Sequence, residues 1–143
     1  MPDRPRVCAA VIENDRILMV RHCSPERTYW TLPGGGVEPG ETHLQAVQRE
    51  VMEEACLEVS VGRLLFVAPY IYGTCYCYLA ERVDLTAEAQ MGGDPEDADL
   101  PPENRLIQGV GWQPIEEVKT DRQVSKVLLA LQNPDPLVFT QEM

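Results

Sequence analysis

The feature that most constrains the fold is a run of glycines that leads into a charged amphipathic segment, over residues 34–57 (GGGVEPGETHLQAVQREVMEEACL). Thr42 is a suitable N-cap, so the pattern predicts a helix that begins near residues 41–42 and ends near Ala55. Its predicted apolar stripe consists of Leu44, Val47, Val51 and Ala55. We therefore expect the helix to pack by one flank and to offer a second flank to a ligand.

That second flank carries three glutamates, Glu50, Glu53 and Glu54, whose centre lies roughly 110° from the centre of the apolar stripe. Like charges at these spacings weaken a helix by roughly 0.2–0.5 kcal/mol per pair, so a ligand is expected to offset that cost. Carboxylate oxygens select hard cations such as Mg²⁺ or Mn²⁺, and Mg²⁺ commonly takes further ligands from substrate phosphates. The helix therefore predicts a metal site that also binds a phosphorylated small molecule.

The glycines before the helix and an arginine within it are predicted to support this site. Gly34, Gly35 and Gly36 are expected to form a tight turn that approaches a ligand closely, where an exposed carbonyl can join the metal ligands. Arg49 is expected to pair with Glu41, which would tie the loop to the helix and orient the metal-binding carboxylates.

Strands are predicted on both sides of this helix, over residues 6–12, 16–22, 29–32, 57–68, 75–83 and 106–113. The first two form a hairpin at Asn14-Asp15, and residues 69–74 form a turn. A last helix is predicted over about residues 121–132. Residues 86–104, which are rich in Gly, Pro and acidic side chains, are predicted to form a substrate loop or to be disordered. The order predicts one α/β domain over residues 1–143, with a mixed sheet between helical layers.

The charge balance narrows the choice of partners. The chain has 12 basic and 23 acidic residues, a formal net charge of −11, and this argues against a DNA duplex or an anionic membrane as partner. Its apolar runs are too short to span a bilayer, and no leader sequence is recognised. Its 5 cysteines form no CxxC pair, so we expect a cytoplasmic protein with reduced thiols.

The charged helix and its approach resemble the Nudix box, whose pattern is G-x5-E-x7-R-E-U-x-E-E-x-G-U with U bulky and apolar. The identical residues are Gly35, Glu41, Arg49, Glu50, Glu53 and Glu54. A random start would match all of them about once in ten million. The preceding WTLPGG (residues 30–35) and the strand order extend the similarity from about Val7 to Leu131. Cys56 departs from the last glycine of the box, which costs about 1 kcal/mol if this residue is left-handed.

The resemblance implies a Nudix-like α/β/α sandwich and hydrolysis of a nucleoside diphosphate linked to another group. Substrates of this class are nucleoside triphosphates, nucleotide sugars, ADP-ribose and dinucleoside polyphosphates. On the matching positions, the metal ligands would be Glu50, Glu53, Glu54 and the Gly34 carbonyl, with Arg49 assisting. Either Glu50 or Glu53 would orient or deprotonate the attacking water. The family also places its general base outside the box, and the candidates there are Glu103, Glu116 and Glu117.

Substrate contacts and assembly are less constrained by the resemblance. Arg21 lies where the family sometimes has a phosphate-contacting arginine, with His22 next to it, and the other candidate contacts are Arg27, Trp30 and Glu103. Homodimers are frequent in the family, so a homodimer is possible here. The alternative function is a non-catalytic Nudix-like module that binds a nucleotide as a sensor or regulator. Because such modules often lose box carboxylates, the complete set in this chain favours an enzyme.

Overall fold

A computed structural model describes residues 4–141. Within them lie eight strands and three helices, and the class is α/β as predicted. The strands are β1 (Arg6–Glu13), β2 (Arg16–Cys23), β3 (Thr28–Thr31), β4 (Gly34–Gly36), β5 (Val59–Tyr70), β6 (Gly73–Arg82), β7 (Ile107–Pro114) and β8 (Leu137–Val138). The helices are α1 (His43–Ala55), α2 (Ile115–Val118) and α3 (Arg122–Leu131). None of these helices is long and apolar enough to cross a membrane.

The strands form one mixed sheet in the order β3-β2-β1-β6-β5-β8, with β4 paired to β1 and β7 paired to β2. The pairs β1–β6 and β5–β8 are parallel, whereas the other pairs are antiparallel. The predicted hairpin between β1 and β2 is present. Its turn residues Asn14 and Asp15 have φ of 50° and 62°, the left-handed values that a tight two-residue hairpin turn requires.

Strand β1 lies in the middle of the molecule and is buried on both faces. Its side chains alternate, so Cys8 and Ala10 join the core beneath α3, whereas Val7, Ala9 and Val11 join the core beneath α1. The sheet therefore lies between two helical layers, as the sequence predicted.

Helix α1 begins as predicted, because Thr42 is its N-cap and forms a capping box with Gln45. Its buried residues are Ala46, Val47, Val51, Glu54 and Ala55. Leu44 was predicted in the apolar stripe but is 48% exposed, because the first turn precedes the part of the helix that covers the sheet. The buried face is consequently centred closer to Glu54 than the sequence pattern indicated.

The three glycines before α1 do not form a turn, in contrast to the prediction. They form strand β4, which pairs antiparallel with Arg6–Cys8, and none of them has a positive φ. A Cβ atom at Gly34 would overlap the carbonyl oxygen of Val7. The absence of side chains is therefore required by the close approach of β4 to β1.

The turn before β6 and the acidic region 86–104 both differ from their predictions. Strand β5 continues through Pro69 and Tyr70, so the turn before β6 contains only Ile71 and Tyr72. The acidic region 86–104 contains two short 3₁₀ turns, Pro95–Asp97 and Pro102–Asn104, and is anchored to the end of α1. It is therefore an ordered connection between β6 and β7.

Candidate active site

A cavity of about 390 Å³ lies where β4, one flank of α1 and the start of the first 3₁₀ turn meet. Its charged lining residues are Arg4, Arg6, Glu38, Arg49, Glu50, Glu53, Glu54, Asp94 and Glu96. Gly34–Gly36 and His22 also line the cavity, next to the carboxylates. The three box carboxylates thus line one cavity, and their predicted role as metal ligands stays a prediction.

Glu54 is the most deeply buried of the three, at 6% exposure. Its Oε1 accepts a 2.8 Å hydrogen bond from the backbone N–H of Gly34, and its Oε2 lies 3.8 Å from Nε2 of His22. Glu54 follows Val47 by about two helical turns, so both residues lie on the same face of α1. The prediction that all three carboxylates lie on a flank away from the core is therefore wrong for Glu54.

Glu50 rests against the backbone of Gly35, where a Cβ atom would lie 2.5 Å from its Oε1. Burial, together with the neighbouring charge of Glu54, raises the pKa of Glu50 to about 7 against the opposing effect of Arg49. Burial also raises the pKa of Glu53, although Arg49 opposes this as well. The negative charge at the site is therefore only partly compensated by the protein itself.

Arg49 connects the helix, the strand and the segment between them. It binds Glu41 with two hydrogen bonds, from Nε over 2.7 Å and from Nη2 over 3.0 Å, and this contact lowers the pKa of Glu41. Its Nη2 also donates to the Gly36 carbonyl over 2.9 Å. Its Nη1 donates to Glu50 over 2.9 Å and lies 3.3 Å from Oε2 of Glu53. The expected Arg49–Glu41 pair is therefore present, and the same guanidinium also holds two of the box carboxylates.

The candidate metal ligands are the carboxylates of Glu50, Glu53 and Glu54 and the Gly34 carbonyl. Their chemistry fits a hard divalent cation, because such cations prefer oxygen ligands. Within residues 4–141, however, no three side chains of His, Cys, Asp or Glu already converge as a metal site. Glu50 and Glu53 are instead turned toward Arg49, and Glu54 toward Gly34. Two observations support the fit. Gly35 leaves room for the Glu50 carboxylate, and burial and the charge of Glu54 both raise the pKa of Glu50, so a cation placed there would offset both effects.

The end of α1 is closed by backbone groups of the acidic loop. Cys56, the residue that follows the helix, has a left-handed backbone with φ of 56° and ψ of 34°. The expected cost of a non-glycine residue at this position of the box therefore applies. The N–H groups of the loop donate over 2.8–3.0 Å to the last carbonyls of the helix, from Gln90 to Ala55, from Gly92 to Glu54 and from Gly93 to Glu53. A Cβ atom at Gly92 would overlap the Glu53 carbonyl oxygen. The loop is therefore docked directly behind the box carboxylates.

This docking brings Asp94 and Glu96 to the cavity, and sequence reasoning missed both residues. Asp94 is close enough that its charge contributes to the raised pKa of Glu53. The loop is positioned by backbone hydrogen bonds, which leave no side-chain periodicity to detect. The adjacent glycines at 92 and 93 were the available signal, because paired glycines often mark a close backbone approach.

Four residues were predicted to contact the substrate, namely Arg21, Arg27, Trp30 and Glu103. None of them is among the described residues that line this cavity. Arg21 precedes His22 in β2, so their side chains point to opposite faces, and it is His22 that faces the cavity. Arg21 instead donates to the Gln108 carbonyl over 3.0 Å and is the register partner of Trp30.

The remaining candidates lie elsewhere on the surface. Arg27 is exposed and its guanidinium lies 4.3 Å from the ring centroid of Tyr29, while Glu103 is exposed in the second 3₁₀ turn. Glu116 and Glu117, proposed as alternative bases, belong to α2 and are also outside the cavity lining. The structure therefore brings together the box residues and separates them from the contacts predicted outside the box.

The sequence of this chain is similar to those of known Nudix proteins. The model of the NUDIX domain matches residues 2–132 of the chain. The human 8-oxo-dGDP phosphatase NUDT18 is 43% identical over 70 residues, which are 45% of this chain and 22% of that protein. The nucleoside triphosphatase NudI of Enterobacter sp. (strain 638) is 39% identical over 57 residues, 38% of this chain and 40% of that protein. The matched segment therefore spans less than half the length of these curated relatives.

Solved structures resemble the whole fold at low sequence identity. An ADP-ribose pyrophosphatase from Streptococcus suis superposes with a TM-score of 0.71 at 19% identity, covering 96% of this chain and 98% of that one. A UDP-X diphosphatase superposes with a TM-score of 0.71 at 20% identity, covering 97% of this chain and 68% of that one. At these identities the likeness is one of fold, and it agrees with the predicted sandwich.

Proposed function

The chain belongs to the Nudix family, and we propose on this basis that it is a metal-dependent hydrolase of the pyrophosphate bond in a nucleoside diphosphate linked to another group. The observation that carries the proposal is that Glu50, Glu53 and Glu54 all line one cavity together with Gly34. The names of three relatives specify 8-oxo-dGDP, NAD-capped RNA and nucleoside triphosphates, which supports a nucleotide as the substrate.

The proposed cation is Mg²⁺ or Mn²⁺, held by Glu50, Glu53, Glu54 and the Gly34 carbonyl. A bound cation of this kind neutralises pyrophosphate charge and lowers the pKa of a bound water. The protein's own contribution is to hold the carboxylates in place: Gly34 fixes Glu54, and Arg49 fixes Glu50 and Glu53. Arg49 is in turn anchored by Glu41, so these two residues act by positioning the ligands.

Attack on phosphorus requires a group that orients water and takes its proton. We propose Glu50 or Glu53 for this role, since both face the cavity. Asp94 and Glu96 replace Glu103, Glu116 and Glu117 as the candidates outside the box, because they line the cavity. The remaining chemistry is positioning and charge stabilisation.

The decisive experiment is a substrate panel with product analysis by mass spectrometry, run in Mg²⁺ and in Mn²⁺. The panel contains nucleoside diphosphates, nucleoside triphosphates, ADP-ribose, nucleotide sugars and dinucleoside polyphosphates. Glu53→Gln and Glu54→Gln should each lower kcat by several orders of magnitude, whereas Glu58→Gln, an exposed residue outside the cavity, should not. Rates close to wild type in both cavity variants would reject the assignment.

The non-catalytic sensor remains the alternative outcome of the same panel. Tight nucleotide binding without turnover by the wild-type protein, in either metal, would favour the sensor over the hydrolase. The single domain over residues 1–143, the cytoplasmic location and the homodimer stay predictions, and sedimentation analysis of the purified chain tests the last of these.

A further inference from the structure

Resting on the proposed function, we infer that Arg4 and Arg6 form a subsite for a second anionic group of the substrate. This group would be additional to the two phosphoryl groups joined by the cleaved bond. The two arginines belong to a wall of the cavity that the box does not supply, and they would select nucleotides that carry a further phosphate.

The position of the two arginines is the first observation. Both line the cavity that Glu50, Glu53 and Glu54 also line. They lie two residues apart where the chain enters β1, so an extended backbone directs them to the same side. Arg6 is the register partner of Gly36, and a Cβ atom at Gly36 would lie 3.1 Å from Nη2 of Arg4. The guanidinium of Arg4 therefore lies directly against the strand that carries Gly34 and Gly35.

The backbone of this segment is fixed, which is the second observation. The N–H of Arg4 donates to the Tyr72 carbonyl over 3.1 Å, and the Arg4 carbonyl accepts from the Tyr70 hydroxyl over 2.6 Å. The Pro5 carbonyl accepts from the N–H of Val37 over 2.9 Å. The guanidinium carbon of Arg6 lies 5.6 Å from the centroid of the Tyr70 ring. The two arginines are thus presented from an anchored strand end, so little backbone order remains to be imposed when a ligand binds.

The charge balance is the third observation. The chain carries a net charge of −11, yet no carboxylate of residues 4–141 lies within 4.0 Å of a guanidinium nitrogen of Arg4 or Arg6. In contrast, the third arginine of the cavity, Arg49, contacts four glutamates. Arginines that line an acidic cavity without a carboxylate partner are suited to bind an anion that enters with the ligand.

A phosphate fits these two groups better than a neutral nucleobase does. Guanidinium groups bind phosphate oxygens through paired, charge-assisted hydrogen bonds. Two neighbouring cations also repel each other, and an anion shared between them removes that repulsion, whereas a stacked neutral base does not. The carboxylate wall would hold the cleaved pyrophosphate through its cation, and the arginine wall would hold the further phosphate.

The test compares matched substrates that differ by one phosphate. One pair is a nucleoside diphosphate and the triphosphate of the same nucleoside, and the other pair is the diphosphate with and without a 3′-phosphate. For the favoured pair, wild type should show a KM about tenfold lower for the more phosphorylated member. In the Arg4→Gln/Arg6→Gln double variant, the two KM values should come within about twofold of each other, because the further phosphate has lost its guanidinium partners. The pair that responds identifies whether the terminal or the sugar phosphate is bound.

The controls separate a local effect from a general one. Arg122→Gln removes an exposed arginine on α3 that is not part of the cavity lining, and should leave the wild-type preference unchanged. The Arg4→Lys/Arg6→Lys variant retains both charges and should recover part of the preference. A wild type without preference in either pair, or a preference that survives in the glutamine double variant, would overturn the inference.

A binding measurement distinguishes this failure from failure of the proposed function. Isothermal titration of wild type and the glutamine double variant with inorganic tripolyphosphate and pyrophosphate, without divalent metal, requires no turnover. Tighter binding of tripolyphosphate by wild type alone supports the subsite even if the protein hydrolyses nothing. Equal binding by both proteins, together with intact hydrolysis and no wild-type preference for the 3′-phosphorylated diphosphate, would reject the subsite and leave the hydrolase assignment standing.

Discussion

The backbone N–H of Gly34 donates a 2.8 Å hydrogen bond to Oε1 of Glu54 and so connects strand β4 directly to the last turn of α1. The partners are separated by 20 positions in sequence, and the carboxylate is 6% exposed. Because a buried carboxylate loses its hydration, this bond supplies part of what water would have given. It also holds together, before any ligand arrives, the two elements that carry the proposed metal ligands.

Glu54→Gln and Glu54→Ala should therefore differ in stability. The glutamine retains an oxygen that can accept from Gly34, so its free energy of unfolding should stay within about 1 kcal/mol of wild type. The alanine leaves a buried N–H unpaired and should cost about 1–3 kcal/mol. Urea denaturation without divalent metal, followed by circular dichroism, measures both values. Equal stability of the two variants would mean that the bond contributes little.

The raised pKa of Glu50 predicts that the free energy of unfolding depends on pH in the absence of metal. Its pKa is about 7 in the folded protein against an ordinary value of 4.5, so the folded state binds this proton more tightly than the unfolded chain does. The contribution is fully present below about pH 4.5 and is lost as the pH rises through about 7, on the order of 3 kcal/mol in total. In EDTA, wild type should therefore lose stability relative to Glu50→Gln between about pH 5 and pH 8. Glu58→Gln, at an exposed site, should follow wild type, whereas parallel profiles for wild type and Glu50→Gln would contradict the shift.

Addition of Mg²⁺ should oppose this loss, because a cation binds the ionised carboxylates. The increase in melting temperature should be larger for Mg²⁺ and a nucleotide together than the sum of their separate effects, since each ligand then contributes to the affinity of the other. A thermal-shift matrix of both concentrations tests this. Purely additive shifts would indicate that metal and nucleotide bind at separate places.

The sequence was sufficient to predict the helix of the box and its Arg49–Glu41 contact, because both depend on residues that are close together in the chain. The capping residue Thr42, the helical spacing of Val47, Val51 and Ala55, and the fixed distance from Glu41 to Arg49 all lie within one segment. Local hydrogen bonding and periodicity determine such features directly. The mixed sheet and its two helical layers followed from the order of strands and helices in the same way.

What the sequence could not provide is the orientation of whole elements. Alternation along β2 separates Arg21 from His22, but it does not say which of the two faces the cavity. Including Leu44 in the apolar stripe displaced the inferred buried face of α1, and the burial of Glu54 was missed as a result. Both errors arise because tertiary packing selects the face that is covered.

The docking of the acidic loop makes Gly92 a sensitive position. A methyl group there would overlap the Glu53 carbonyl oxygen, whereas a methyl group at Gly93 would meet no atom within 4 Å. Gly92→Ala should therefore cost about 1–3 kcal/mol of unfolding free energy, and Gly93→Ala should cost less than about 1 kcal/mol. Because the loop positions Asp94 and lies behind Glu53, limited proteolysis should also cleave it faster in the Gly92 variant. Similar behaviour of both alanine variants would show that the loop is not held by this contact.

The left-handed residue at the end of α1 offers a stabilising change. Cys56 has a φ of 56° and is exposed, so its side chain gives little packing in return for the strained backbone. Cys56→Gly restores the glycine of the box and should raise the free energy of unfolding by up to about 1 kcal/mol, because glycine adopts this conformation without steric cost. Cys56→Ala keeps a Cβ atom and should bring no such gain, which separates backbone strain from removal of the thiol. Urea denaturation under reducing conditions compares the three proteins, and an equal gain in both variants would locate the effect in the thiol instead.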